Sequence, residues 1–294
     1  MVSYPYFPGC ALSTKAKALD ICAREAMKSL GYELKEIEDW TCCGAVFSLA
    51  EDEHIRLVSP ARTIFKSSKV SDKLVTLCSA CFNVLRRSQK VLKENKQRRE
   101  RVLNYMDEEA VENYPENLKV IHLIEIFRDE IGFENLSKEI KKHLNGLKIA
   151  PFYDCLTFRP PKEMEFEDPE NPRIYSNYIT ALGGEPIDFP YRSECCGAHI
   201  SVSNPEVSLE CSMRILNSAR LAGAEALLTS CPLCHYNLDA RQKEMAEKRI
   251  DFKPMPVFYL TQLLGIALEL PENVLGFEKN YVSPLPLLKE KGLL

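Results

Sequence analysis

With 294 residues, of which 45% are hydrophobic, the chain is long enough for two units of ordinary domain size, each able to bury its own core. A net charge of −4 leaves no electrostatic footprint for a polyanion, so nucleic acid is not an expected partner. The opening Met-Val-Ser-Tyr-Pro-Tyr has no basic segment followed by an apolar run, and the longest near-apolar stretch, 256–268, is broken by Thr261 and Gln262. It falls short of the roughly 20 residues a membrane helix needs, and the expectation is a soluble, cytoplasmic protein without a membrane span.

Along the chain, Val2 to Gly9 reads as a short strand arriving at Cys10. Ser13 or Thr14 can cap the next helix, whose apolar stripe runs to Leu30 and ends at Gly31. Tyr32 to Ile37 reads as a strand leading into Cys42-Cys43-Gly44. A helix follows from about Glu51 to Lys66, then a compact strand, Lys73 to Leu77, that ends at Cys78. Cys81 opens a further helix, Phe82 to about Val102, whose basic run is balanced by Glu94 and Glu100 and reads as a solvated face.

The second half repeats this order. Leu147 to Asp154 delivers Cys155; Asn171 to Leu182 is helical and closes at Gly183-Gly184; Pro186 to Tyr191 leads to Cys195-Cys196-Gly197. The prolines between Pro160 and Pro172 mark an acidic loop. Asn204-Pro205 has the form of a helix start, asparagine as cap and proline at the first helical position. Leu227 to Cys231 lines up with Leu74 to Cys78, and Met255 to Leu260 with Lys119 to Ile124. The chain is thus a tandem duplication of two α/β halves, 1–145 and 146–294, with cysteine loops at the C-terminal ends of mostly parallel strands.

Of twelve cysteines, ten form two sets with one pattern: C-x31-C-C-x34-C-x2-C for Cys10, Cys42, Cys43, Cys78 and Cys81, and C-x39-C-C-x34-C-x2-C for Cys155, Cys195, Cys196, Cys231 and Cys234. In a reducing compartment this points to metal, cluster or redox work rather than to a disulfide framework. Cys22 and Cys211 lie on apolar helical stripes and read as core positions. A structural zinc takes four ligands and a cubane cluster four thiolates, so a fifth cysteine favours a larger cluster. Adjacent cysteines point in different directions, and the glycine after each pair lets the backbone come close to a bulky inorganic core.

Pro8-Gly9-Cys10, both Cys-Cys-Gly phrases, Cys81-Phe82-Asn83-Val84-Leu85, the stretch Cys231 to Asp239 and the tail Val257 to Gly265 resemble the CCG domain. Over nearly its whole length the chain is similar to the family of heterodisulfide reductase B subunits. That resemblance implies an oxidoreductase of methanogenesis that reduces the mixed disulfide of coenzyme M and coenzyme B. It also implies a non-cubane [4Fe-4S] cluster held by each set of five cysteines. The implied partners are the ferredoxin-like C subunit of such enzymes, their flavin-bearing A subunit, and a hydrogenase or formate dehydrogenase in a larger complex. The chain has neither a C-x2-C-x2-C-x3-C-P run nor a glycine-rich dinucleotide loop, so electrons must come from other chains.

Leaving thiolates need protons, and His199 and His235, both in cysteine loops, are the candidate catalytic donors; each could instead tune a cluster sulfur by a hydrogen bond. His54, His122 and His143 have no motif around them. Arg86, Arg87, Arg159, Arg192 and Arg241 are candidates for the anionic groups of the implied substrate. At the first cysteine of the second half the family phrase Tyr-Gly-Cys-His is replaced by Tyr153-Asp154-Cys155-Leu156. Alternatives are an iron-sulfur subunit of another oxidoreductase, in lactate or glycolate oxidation or sulfur metabolism, and a zinc-stabilised electron-transfer or scaffold protein. A thioredoxin-like exchanger would leave eight patterned cysteines unused.

Overall fold

The computed structural model describes residues 2–45, 54–106 and 115–294. In the first half, β1 (Val2–Phe7), β2 (Tyr32–Glu36), β3 (Lys73–Thr76) and β4 (Lys119–His122) form a four-stranded sheet in the order β2-β1-β3-β4. In the second, β5 (Lys148–Pro151), β6 (Glu185–Pro186), β7 (Ala226–Thr229) and β8 (Val257–Tyr259) form a sheet in the order β6-β5-β7-β8. All pairings are parallel, with Val2 opposite Tyr32, Lys73 opposite Lys119 and Leu227 opposite Val257. The α/β duplication read from the sequence is therefore present. In each sheet the strand order reverses between the first and third strands, the crevice where open parallel sheets bind ligands. Cys10 and Cys78 follow the two strands at one reversal, Cys155 and Cys231 those at the other.

Helix boundaries differ from the sequence reading for local reasons. The first helix is split into Gly9–Ser13 and Lys17–Ser29, whose N-cap residues are Pro8 and Ala16 rather than Ser13 or Thr14. The hydroxyls of Ser13 and Thr14 instead donate back to the carbonyls of Gly9 and Cys10, at 2.9 and 2.6 Å, an alternative such side chains offer the backbone. The helix expected from Glu51 spans Ile55–Ser68 among the described residues, which exclude Glu51. The helix expected over 82–102 begins at Ser79 and breaks at Asn95, whose side chain accepts from Arg98 N and caps a second helix, Lys96–Leu103. Pro161–Met164 makes one helical turn inside the acidic loop, and the 171–182 helix spans Ile174–Ala181. Of the strand expected over 186–191 only Pro186 lies in the paired strand, which is Glu185–Pro186; Ile187 N still donates to the Ile149 carbonyl at 2.9 Å.

The two halves share their larger core. One apolar cluster runs from Tyr4 and Phe65 through Tyr153 and Tyr178 to Leu264 and Leu293, so it contains both sheets' neighbours. Every residue of the helix Leu260–Ala267 is buried, and it lies against Lys17–Ser29 of the first half. There the Cys22 thiol donates to the Thr261 carbonyl at 3.3 Å. Tyr178 stacks on Phe127 at 5.7 Å. A second-half helix with no exposed face has to be covered by its neighbour, which ties the halves together. A smaller cluster, including Phe152, Leu216 and Met245, belongs to the second half. Cys22 is a core residue as expected; Cys211 is only half-buried, on a helix edge where Val207 is exposed. No helix among the described residues is long and apolar enough to cross a membrane.

Candidate functional site

The cysteines sit where strands hand over to helices. Cys78 is the extended N-cap residue of the helix Ser79–Glu94, with Cys81 in its first turn; Cys231 holds the same place before Pro232–Asp239, with Pro232 at the first helical position. The free N–H groups and positive dipole end of a helix start favour thiolates there. Gly9 has φ +70°, and a Cβ on it would lie 2.7 Å from Cys81 Sγ, so the Cys81 thiol occupies the place a side chain would take. The glycines of both Cys-Cys-Gly phrases are left-handed, at φ +71° for Gly44 and +77° for Gly197. At Gly197 the close neighbour is the Ser208 backbone, 2.9 Å from a Cβ. Gly197 N also donates to Cys195 Sγ at 3.3 Å.

All twelve thiols are free, and the patterned ten come together. Cys10 and Cys42 sulfurs are 3.9 Å apart and exposed; Cys43 and Cys81 are 3.3 Å apart and buried. In the second set Cys196 and Cys234 are 3.2 Å apart, while Cys155 contacts Cys195. Cys78 contacts both Cys81 and Cys231, so the two sets of five meet. Contact with Cys231, then with Cys81, holds the Cys78 thiol well below its ordinary range. Cys195 is likewise lowered by Cys155 and Cys196, and Cys155 raised in turn. In each set some thiols therefore ionise readily while sharing their neighbours' protons. Among the described residues no three His, Cys, Asp or Glu side chains close around one point as a mononuclear ion needs. The donor set, soft sulfur only and spread over pairs, suits a cluster with several irons.

A polar network fills the space where the sets meet. Asp154, fully buried, accepts from Ser230 N at 3.0 Å, Ser230 Oγ at 2.7 Å and Tyr175 OH at 3.2 Å, and also from Thr229 Oγ1. Ser79 Oγ lies 3.1 Å from Ser230 Oγ, a hydrogen bond across the two halves. Burial, with Cys231 beside it, pushes the Asp154 carboxyl up to about 6. His122 caps the turn after β4: its Nδ1 accepts from Ile124 N at 3.3 Å and its Nε2 faces the Leu77 carbonyl at 3.0 Å. That pairing requires a neutral ring protonated on Nε2, and burial holds its pKa down at about 4. Tyr259, at the matching end of β8, donates to the same Leu77 carbonyl at 2.8 Å.

His122 makes the fold acid-sensitive. Below pH 6.5 the unfolded chain protonates this ring while the native one stays neutral, so stability falls as pH drops toward 4. His122→Gln removes that contribution. The fall in unfolding free energy between pH 7 and pH 5, followed by urea denaturation, is expected to be about 2 kcal/mol smaller in the variant than in the wild type.

Beside the second set lies a cavity of about 100 Å³, lined by Cys155, Cys195, Cys196, Cys231 and Cys234 together with Asp154 and His199. Ala45, Ala80, Val84, Leu156, Ala198 and Leu233 give it apolar walls, with Asn83 and Arg87 at its side. Of the two histidines singled out in the sequence, His199 reaches this cavity. His235 does not line it: its Nε2 faces the Val257 carbonyl at 3.1 Å and braces β8 instead. Of the arginines among the described residues only Arg87 lines the cavity. Arg86 pairs with Glu125, Arg159 with Glu170, Arg192 with Asp188 and Arg241 with Glu244.

Fold and site together define a duplicated parallel α/β protein whose ten cysteines gather at the ends of its strands. Residues 4–86 and 149–239 each match the CCG cysteine-rich domain, and the chain belongs to that family, with two copies. It is 30% identical over 284 residues to the 8-methylmenaquinol:fumarate reductase membrane anchor subunit of Wolinella succinogenes, covering 97% of this chain and 98% of that one. It is 27% identical over 292 residues to the B subunit of the ferredoxin/F420H2-dependent CoB-CoM heterodisulfide reductase of Methanosarcina acetivorans, covering 98% and 96%. A solved structure of a hypothetical protein from Helicobacter pylori shares the fold, with TM-score 0.76 and 14% identity. That match covers 95% of this chain and 51% of the other, so this chain spans about half its length.

Proposed function

We propose that this chain is the substrate-side subunit of a multi-subunit oxidoreductase and holds two non-cubane [4Fe-4S] clusters. One is held in the half 1–145 by Cys10, Cys42, Cys43, Cys78 and Cys81, and the other in 146–294 by Cys155, Cys195, Cys196, Cys231 and Cys234. The observation that carries this reading is the gathering of two complete sets of free thiols, with Cys43 3.3 Å from Cys81 and Cys196 3.2 Å from Cys234 at buried positions. The reaction is that of a heterodisulfide reductase: the coenzyme M and coenzyme B disulfide, two electrons and two protons give two thiols. Bound clusters would supply single electrons and iron sites for sulfur. The chain's own residues do the rest: His199 delivers a proton at the cavity, Arg87 faces an anionic group, and Leu156 and Leu233 keep water out. Electrons arrive from partner chains, one ferredoxin-like and one flavin-bearing.

A second reading makes the electron donor a quinol in a fumarate-reducing complex. It is favoured by the cavity's largely apolar lining, in which Arg87 is the one guanidinium among the described residues, and by the relative of that name. The two separate cleanly in the complex purified without oxygen. Release of two thiols from the coenzyme M and coenzyme B disulfide supports the first. Oxidation of a methylated menaquinol coupled to fumarate, with no thiol release, replaces it with the second.

A further inference from the structure

The two cysteine sets are built on one plan but differ at the residue before their first cysteine. In the first half it is Gly9, with Cys81 Sγ occupying the place a side chain would take. In the second it is Asp154. The repeat pairs Thr76-Leu77-Cys78 with Thr229-Ser230-Cys231. Thr229 Oγ1, Ser230 N and Ser230 Oγ all donate to Asp154, so the hydrogen-bond donors just ahead of Cys231 are turned onto a carboxylate. In the first half the matching Thr76 Oγ1 is buried with no protein partner among the described residues, and Leu77 offers no hydroxyl. Asp154 also lines the cavity next to Cys155 and Cys231.

Reduction potentials of iron-sulfur centres follow net charge and hydrogen bonds to sulfur. A carboxylate that takes up nearby donors and adds an acceptor beside two ligands acts in one direction on both counts. We infer that Asp154 makes the two centres inequivalent, a positioning residue that sets the reduction potential of the centre held by Cys155, Cys195, Cys196, Cys231 and Cys234 below that of its twin. The first electron to enter then settles on the centre of the first half, and the centre beside the cavity is reduced second. This rests on the proposed two-cluster reading and adds an order to it.

The test is a redox titration of the anaerobic protein followed by electron paramagnetic resonance, with Cys43→Ala identifying the first-half signal. Asp154→Asn keeps the shape of the side chain and removes its charge. It is expected to raise the second centre's midpoint and to move the first, where only Ser79 beside Cys78 donates to Asp154 at 3.4 Å, by much less. Asp154→Gly copies the first half and is expected to bring the two midpoints together, and Thr229→Val gives a smaller shift. A purely structural role would change stability and iron content without moving one midpoint against the other. Midpoints that stay put, or move equally, at wild-type iron content overturn the inference and leave the two-cluster reading standing. A wild-type chain that carries no iron removes both.

Discussion

Gly197→Ala is expected to destabilise the native chain by about 3 kcal/mol, whereas Gly44→Ala costs about 1 kcal/mol. Both glycines follow a cysteine pair and both are left-handed, so each substitution carries the strain of placing a Cβ at positive φ. They differ in what the Cβ meets. At Gly44 nothing among the described residues lies within 4 Å. At Gly197 the new atom would sit 2.9 Å from Ser208 Cα, backbone of the helix Pro205–Leu221, which cannot swing aside as a side chain can. Ser208 is also held by Asn237 Nδ2 and Arg241 Nη1, each at 2.9 Å, so moving it disturbs the support of Cys196 as well. Anaerobic urea denaturation of the two variants reads the difference directly; equal losses would show that the helix contact is not the constraint.

Cys43→Ala is expected to empty the first site and leave the second filled. Cys43 is buried against Cys81 and has no other thiol within the first set to replace it, while the second set keeps its own contacts from Cys155 to Cys234. Iron should fall from about eight to about four per chain, with one paramagnetic signal lost and the other retained. Turnover should fall to background, because delivering two electrons to one substrate needs both centres. Cys231→Ala is the contrasting case. Its thiol faces Cys78 across the halves, so both signals should change.

The repeated cysteine spacing made the architecture readable. Once Cys78 and Cys231 were each preceded by a short apolar run and followed by a helical pattern, the parallel sheets and the edge carrying the thiols followed. What sequence alone left hidden depended on contacts between distant segments. Asp154 stood out as a departure from the family phrase, but its partners Tyr175, Thr229 and Ser230 lie 21, 75 and 76 residues away. His122 read as a lone histidine; the glutamate three residues on, Glu125, was the available signal, since the two complete a capping box. His235 sat in the right loop yet points at β8, because position in a loop does not fix which way a ring turns. The shared core was hidden for a related reason: nothing local in 260–267 says which helix will cover it.

Iron and acid-labile sulfide per chain, measured on wild-type protein purified without oxygen, test the central claim most directly. The two sets of five free thiols predict about eight of each, falling to about four in Cys43→Ala. About four in the wild type, or zinc in place of iron, would contradict a pair of clusters.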